Sequence, residues 1–264
     1  MTGLVDRYGP WAVVTGGSEG IGRAFALQLA EAGLHLLLVA RKPGPLESTA
    51  AQARERGVEV RTLALDLTTS DAPSRVVAAV ADVEVGLLVH NAGANTHSEE
   101  FLDGDLSAFE QVIALNVTTP LALAHHFGRG MRDRRHGGIL LVGSLAGYLG
   151  STKHTVYGGA KAFGRIFAEG LWLELRDHDV DVLELVLGVT RTPAMERVGL
   201  NFDMPGMPVS EPDDVARQGL AQLSQGPVQI AQGHQAQAAS RNDPDRAKVV
   251  LGAHRFMQKL MGDR

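Results

Sequence analysis

The chain has 264 residues, a formal net charge of -5 and 44% hydrophobic residues, enough for one large α/β domain with a core on both sides of a sheet. Its scattered basic residues leave no nucleic-acid footprint, and the absence of cysteine excludes disulfides, thiol catalysis and thiolate-bound zinc. The opening Met-Thr-Gly-Leu-Val-Asp-Arg is not a basic segment leading into an apolar core, and no apolar run approaches the ~18 residues of a membrane span, so a cytoplasmic protein without a membrane partner is expected.

Short apolar runs alternate with longer stretches of helical spacing. The first run, Trp11–Val14, leads into Thr15-Gly16-Gly17-Ser18-Glu19-Gly20-Ile21-Gly22 and then an amphipathic stretch from Arg23 to Ala32. Strand, glycine turn and helix form the context that a dinucleotide signature requires. Glycine lets the backbone approach a pyrophosphate, and the helix N-terminus offers unpaired N–H groups and a positive dipole end. A glycine-rich turn with no ligand is the alternative. The second run, Leu34–Ala40, ends at Arg41-Lys42. Proteins of this kind that prefer NAD carry an acid about 20 residues past the glycines. Ala40-Arg41 instead suits a 2′-phosphate gripped by a guanidinium fork, although Glu19 in the glycine loop has the opposite sign. The expectation is NADP(H) preferred, with NAD(H) as the second choice. A third run, Val58–Leu65, precedes Asp66-Leu67, where Asp66 also reads as a helix cap or Asx turn. A fourth, Val85–Val89, precedes Asn91-Ala92-Gly93.

Leu106–Arg135 has helical spacing, with a kink expected at Asn116-Val-Thr-Thr-Pro120 and with Arg132, Arg134 and Arg135 as a solvated cluster at its end. The fifth run, Ile139–Val142, leads to Ser144. Tyr157 and Lys161 then open a second long helical stretch, Tyr157–Asp177. Four residues apart on a helix, phenol and ammonium share a face. A free phenol ionises near 10, and a neighbouring cation favours phenolate, which suits a general acid/base at a carbonyl or alcohol oxygen. Ser144 offers its hydroxyl to the same oxygen. The sixth run, Val180–Leu187, leads to Gly188-Val-Thr-Arg-Thr192. Such runs read as strands covered on both faces, and repeated βαβ units imply a parallel sheet with right-handed crossovers. The expected fold is a Rossmann-like, doubly wound parallel β-sheet with helices on both faces, in a single domain over residues 1–264. Gly16, Asn91, Ser144 and Gly188 then converge beyond the carboxyl ends of the strands, where ligands bind.

TGxxxGxG at Thr15–Gly22, Asn91-Ala92-Gly93, Asn116, Ser144 and YxxxK at Tyr157–Lys161 follow in order between about Trp11 and Thr192. Together they resemble the short-chain dehydrogenases/reductases of the single-domain type. The resemblance implies hydride exchange between NAD(H) or NADP(H) and a small-molecule carbonyl/alcohol pair, with Asn116, Ser144, Tyr157 and Lys161 as the catalytic tetrad. It implies cofactor contacts at Gly16, Ser18, Gly20, Ile21, Gly22, Arg41, Asp66, Leu67, Asn91, Ala92, Gly93, Tyr157, Lys161, Val189 and Thr192. In that pattern Asp66-Leu67 lies by the adenine and Asn91–Gly93 by its ribose. Lys161 holds the nicotinamide ribose, Thr192 meets the nicotinamide amide, and Asn116 anchors a water chain to Lys161. The usual proline before Gly188 is Leu187 here. No metal is expected, since the ten histidines show no HExxH. A homodimer or homotetramer through the two long helices is also implied.

Thr190–Pro212 is long and apolar, with Met195, Leu200, Phe202, Met204 and Met207 among Pro193, Pro205 and Pro208. It reads either as a flap over an apolar substrate or as a loop packed on the domain. Leu145, Tyr148 and Leu149 are candidates for the same pocket. The stretch from Gly9 to Gly16 and the Val39-Ala40-Arg41 ending resemble a branch that includes hydroxysteroid and ketoacyl reductases. Gly226–Ser240 has no assigned counterpart, and Asp243–Met261 reads as an amphipathic C-terminal helix. Two rival functions remain at this stage: a cofactor-binding redox sensor without turnover, and an epimerase or dehydratase of the wider group. The latter usually carries TGxxGxxG and a separate substrate domain.

Overall fold

A computed structural model describes residues 3–204 and 206–261, with side chains described through residue 255. Met1, Thr2, Pro205 and residues 262–264 lie outside the described residues, and with them the ends of the expected domain and one proline of the apolar segment. The six apolar runs form β1 (Trp11–Thr15), β2 (His35–Ala40), β3 (Val60–Ala64), β4 (Val85–His90), β5 (Gly137–Ser144) and β6 (Val180–Leu187). A short pair, β7 (Val189–Thr190) and β8 (Val209–Ser210), follows, and β9 (Val228–Ile230) adds to the edge of β6. The main sheet is parallel, in the order β3-β2-β1-β4-β5-β6-β9. The order reverses between β1 and β4, which opens a crevice at the carboxyl ends of those strands.

The helices are α1 (Leu4–Tyr8), α2 (Gly20–Glu31), α3 (Pro43–Arg54), α4 (Ala72–Ala78), α5 (Leu106–Ile113), α6 (Thr119–Arg134), α7 (Thr155–Leu175), α8 (Pro193–Arg197), α9 (Pro212–Gln222), α10 (Gln235–Ser240) and α11 (Arg246–Met261). Side chains alternate across each strand, so β2 feeds two cores. Leu36 and Leu38 pack with Phe25 and Leu29 of α2 and Leu220 of α9. Leu37 and Val39 join the opposite layer with Leu123, Phe127 and Met131 of α6 and Leu175 of α7. This two-sided covering is why the runs are continuously apolar.

Four features differ from the sequence expectation. Gly226–Ser240, left unassigned, supplies the seventh strand and α10. The apolar segment after Thr190 contains α8, and β7 pairs with β8 at its base, so it is not irregular throughout. The arginine cluster ends α6, but Arg134 donates to the Val85 carbonyl at 3.0 Å and so is not simply solvated. Residues Leu106–Arg134 form one continuous helix of 29 residues, with a mean hydropathy of 1.2 over its most apolar window. By length and composition it is long and apolar enough to cross a membrane, which the absence of an unbroken apolar run did not suggest. Leu123, Phe127 and Met131 bury one face of it against the sheet.

Leu88 in β4 is fully buried in the layer under α6. Leu88→Ala is expected to cost about 2–5 kcal/mol, the scale of a large-to-small change in a closed core, read as a lowered urea midpoint.

Candidate active site

The glycine loop is shaped by contacts that leave no room for side chains. Gly16 adopts φ 69° and Gly20 φ 53°, in the left-handed region where glycine is at ease. A Cβ on Gly22 would lie 2.0 Å from the Gly16 carbonyl oxygen, so this glycine lets α2 press against the loop. Asn91 holds the same turn from the next strand, its Nδ2 donating to the Thr15 carbonyl at 3.3 Å and the Gly16 carbonyl at 3.2 Å. The Ala92 N–H donates to Thr15 Oγ1 at 3.1 Å. Ser18 is half-buried, and its carbonyl accepts from Thr49. Ile21 lies in the first turn of α2 and packs partly on the core. Thr192 accepts from the Met195 N–H and caps α8. Its methyl lies 3.1 Å from where a Cβ of Gly20 would be, which brings the end of the motif onto the glycine loop.

The four expected catalytic residues come from three elements that meet beyond β4 and β5. Ser144 ends β5, and its Oγ accepts from the Ala146 N–H at 3.1 Å. The turn that follows packs backbone to backbone on α7, since a Cβ on Gly147 would lie 2.7 Å from the Lys161 carbonyl carbon. Tyr157 and Lys161 occupy one face of α7, with Lys161 Nζ 5.8 Å from the Tyr157 ring centroid. The same Nζ donates to the Val142 carbonyl at 3.0 Å. Asn116 lies in a π-helical turn, Ala114–Thr118, between α5 and α6, so the expected kink is a widened turn. Its Nδ2 donates to the Ala94 carbonyl at 3.0 Å and the Val112 carbonyl at 2.9 Å. A Cβ on Gly93 would lie 2.8 Å from Lys161 Nζ and 2.9 Å from Asn116 Oδ1. Gly93 is therefore where the ammonium and the amide approach the turn that follows β4.

Arg41 is exposed at the end of β2, and its charge reaches both Asp66 and Glu19. Burial raises the Asp66 carboxyl, but two hydrogen bonds from Thr68 and the Arg41 charge outweigh it and leave the group below its ordinary value. Asp66 thus forms the Asx turn considered from sequence. Leu67 is buried, and its carbonyl accepts from Thr119. Val189 pairs with Val209 and is half-buried at the root of the apolar segment. Leu145 and Tyr148 do not line an open pocket: both are buried, packed with Val186 and Ala238. Leu149 is half-buried.

Other polar residues at the site were not singled out from sequence. Arg197 of α8 reaches back to Glu19 and donates to its carboxylate, once at 3.0 Å. That bond, more than any other influence, holds the Glu19 carboxyl below its ordinary value. Arg241 and Arg246 donate to the carbonyls of Leu145 and Tyr148, at 2.6 Å and 3.0 Å, bracing the turn after Ser144. An amphipathic pattern or a lone arginine at the chain end carries no signal for such long-range contacts.

A family model described as short chain dehydrogenase matches residues 10–201. The chain is 39% identical over 183 residues to the very-long-chain 3-oxoacyl-CoA reductase of Laccaria bicolor, covering 68% of this chain and 54% of that protein. It is 32% identical over 219 residues to the 7beta-hydroxysteroid dehydrogenase of Clostridium sardiniense, covering 83% and 84%. The chain thus spans about half the length of the long-chain reductases it matches. Among solved structures, a short-chain dehydrogenase from Sphingobium yanoikuyae in complex with NADPH superposes with a TM-score of 0.78 and 31% identity, covering 97% of this chain and 96% of that one.

His90, at the end of β4 beside Lys161, bonds to Thr15 through Nδ1 at 3.1 Å. Burial, reinforced by the Lys161 charge, pushes its imidazole down to about 3. The unfolded chain accepts a proton near pH 6.5 that the folded site refuses, so this residue draws stability away as pH falls below that value. Its ring resonances are expected not to titrate between about pH 5 and 8 in an NMR pH series; a midpoint inside that range would contradict the burial argument.

Proposed function

The chain belongs to the short-chain dehydrogenases, and from that premise we propose that it is an NADP(H)-dependent oxidoreductase. It would exchange hydride between the nicotinamide and a carbonyl or secondary alcohol on a mostly apolar substrate, of the hydroxysteroid or long-chain ketoacyl kind. The observation that carries this reading is the meeting of Ser144, Tyr157, Lys161 and Asn116 beside a glycine cradle. The cradle fits a dinucleotide, because Gly16 and Gly20 take left-handed backbone and Gly22 lets the loop close tightly on the start of α2, and a helix N-terminus is where a pyrophosphate binds. Thr192 closes on the glycine loop at Gly20, while Gly93 lies against Lys161 and Asn116. When bound there, the cofactor supplies the hydride.

Each side chain then has a definite task. Ser144 donates to the substrate oxygen, where negative charge grows as the carbonyl is reduced. Tyr157 gives that oxygen a proton. Lys161 favours the tyrosinate left behind and offers further donors to ribose hydroxyls, and Asn116 anchors the water chain that carries protons onward from Lys161. Arg41, with Asp66 and Leu67, holds the adenosine end.

The preference for NADP(H) is supported by Ala40-Arg41, by Arg197 compensating the Glu19 charge, and by the NADPH-bound relative. The substrate class is supported by the names of the two curated relatives and by the Met- and Phe-rich segment over residues 190–212, which we take as a substrate flap within a single catalytic domain. Leu106, Ile113 and Leu121 on the α5–α6 helix and Phe163, Ile166 and Leu173 on α7 are exposed. They support a homodimer or homotetramer built on these helices.

A screen of ketones, aldehydes and secondary alcohols, following NADPH and NADH absorbance separately, is expected to give turnover with a higher kcat/KM for NADPH. A clear NADH preference would refute the cofactor assignment, and no turnover with either would refute the activity. Tyr157→Phe is expected to bind NADPH normally, by fluorescence, yet turn over ~10²–10⁴-fold more slowly. Near-normal turnover in that variant would remove Tyr157 as the proton donor.

A further inference from the structure

Glu184 is an acid in the middle of an apolar strand, 2% exposed, and the proton transfer described above does not use it. Two glycines make room for it. A Cβ on Gly143 would lie 2.5 Å from Glu184 Oε1, and one on Gly164 would lie 3.1 Å away. The carboxyl therefore enters between β5 and α7, beside the turn that carries Lys161. It lines a cavity of about 20 Å³ together with Lys161, Asn116 and His90, large enough for one water. Among the described residues, Glu184 Oε2, Asn116 Oδ1 and His90 Nε2 have no hydrogen-bond partner. Buried polar atoms are rarely left this way in a purely structural core, and here three of them border one small space.

The charged groups that face Glu184 from α7 are Lys161, Arg165 and Glu169. His90 faces the cavity from β4, while β5 and β9, the flanking strands, carry no titratable side chain. Burial pushes the Glu184 carboxyl up to about 7, against the pull of Lys161 and Arg165 and with a push from Glu169. Its charge therefore changes in the range where a dehydrogenase works.

We propose that Glu184 is a positioning residue for Lys161: its carboxylate offsets the ammonium's pull on the Tyr157 phenol, keeping Tyr157 in its proton-donating form and biasing the site toward carbonyl reduction. The proposal rests on the reading of Tyr157 as proton donor. In that step the Tyr157 O–H bond breaks and the proton passes to the substrate oxygen as hydride reaches the carbonyl carbon. Glu184 acts on the charge left behind and exchanges no atom with the substrate.

The test is an ultraviolet titration of the tyrosinate band in the NADP⁺-loaded protein, with the spectrum of Tyr157→Phe subtracted. Glu184→Gln is expected to move the Tyr157 transition lower by about one pH unit, the effect of removing one nearby charge, and to leave NADP⁺ affinity unchanged. Coincident transitions in the two proteins overturn the proposal while leaving the donor reading intact. Near-normal turnover of Tyr157→Phe overturns the donor reading, and the proposal with it. Glu184→Met, a neutral replacement of similar size that a buried site accepts, reads the same shift if the Gln variant does not fold.

Discussion

The hydrogen bond from Lys161 to the Val142 carbonyl ties the helix that carries the phenol to the strand that carries Ser144. One side chain bridges α7 and β5, and that is feasible because the two elements lie unusually close. The closeness has a cause in the sequence. Gly147 and Gly158 occupy points where a side chain would collide with, or press on, backbone of the opposing element, so the turn after Ser144 and the first turns of α7 share a surface of nearly bare main chain. Ser144, Tyr157 and Lys161 inherit their relative positions from that surface rather than from contacts with one another.

Much of this was legible in the residues because it is local. A glycine loop between an apolar run and an amphipathic stretch, and a Tyr and Lys one helical turn apart, state their geometry through spacing alone. The parallel sheet was legible through the runs, whose lack of alternation requires cover on both faces. The seventh strand was not. Val228–Ile230 is three half-buried residues, and what makes it a strand is the free edge of β6, which no local pattern reveals. Leu145 and Tyr148 were misplaced for a related reason: nearness to Ser144 in sequence suggested the pocket, but the tight turn between them points both side chains at Val186 and Ala238. Glu184 was hidden because the residues that make room for it, Gly143 and Gly164, lie on two other elements.

Glu19 shows how a residue of the wrong sign becomes intelligible once its partner is known. An acid in the glycine loop reads as hostile to a 2′-phosphate. In the fold it is matched by Arg197, far along the chain, with Arg41 and Lys42 in the same field. An exposed pair of this kind adds little stability. Its effect is on local charge, which it leaves basic around the glycine loop and the end of β2, and it joins that loop to α8 of the apolar segment.

The root of that segment is built differently from its span. β7 and β8 sit side by side, Ser210 bonds to His234 at 3.0 Å, and Gly188 leaves the imidazole a space that a Cβ would invade at 2.1 Å. The chain therefore departs and returns through one fixed doorway, and lengthening what lies between costs little closure entropy. The segment is thereby held at its root by β7, β8 and His234. A change of sequence between the two strands leaves the root of the segment, and with it Ser144 and α7, where they are.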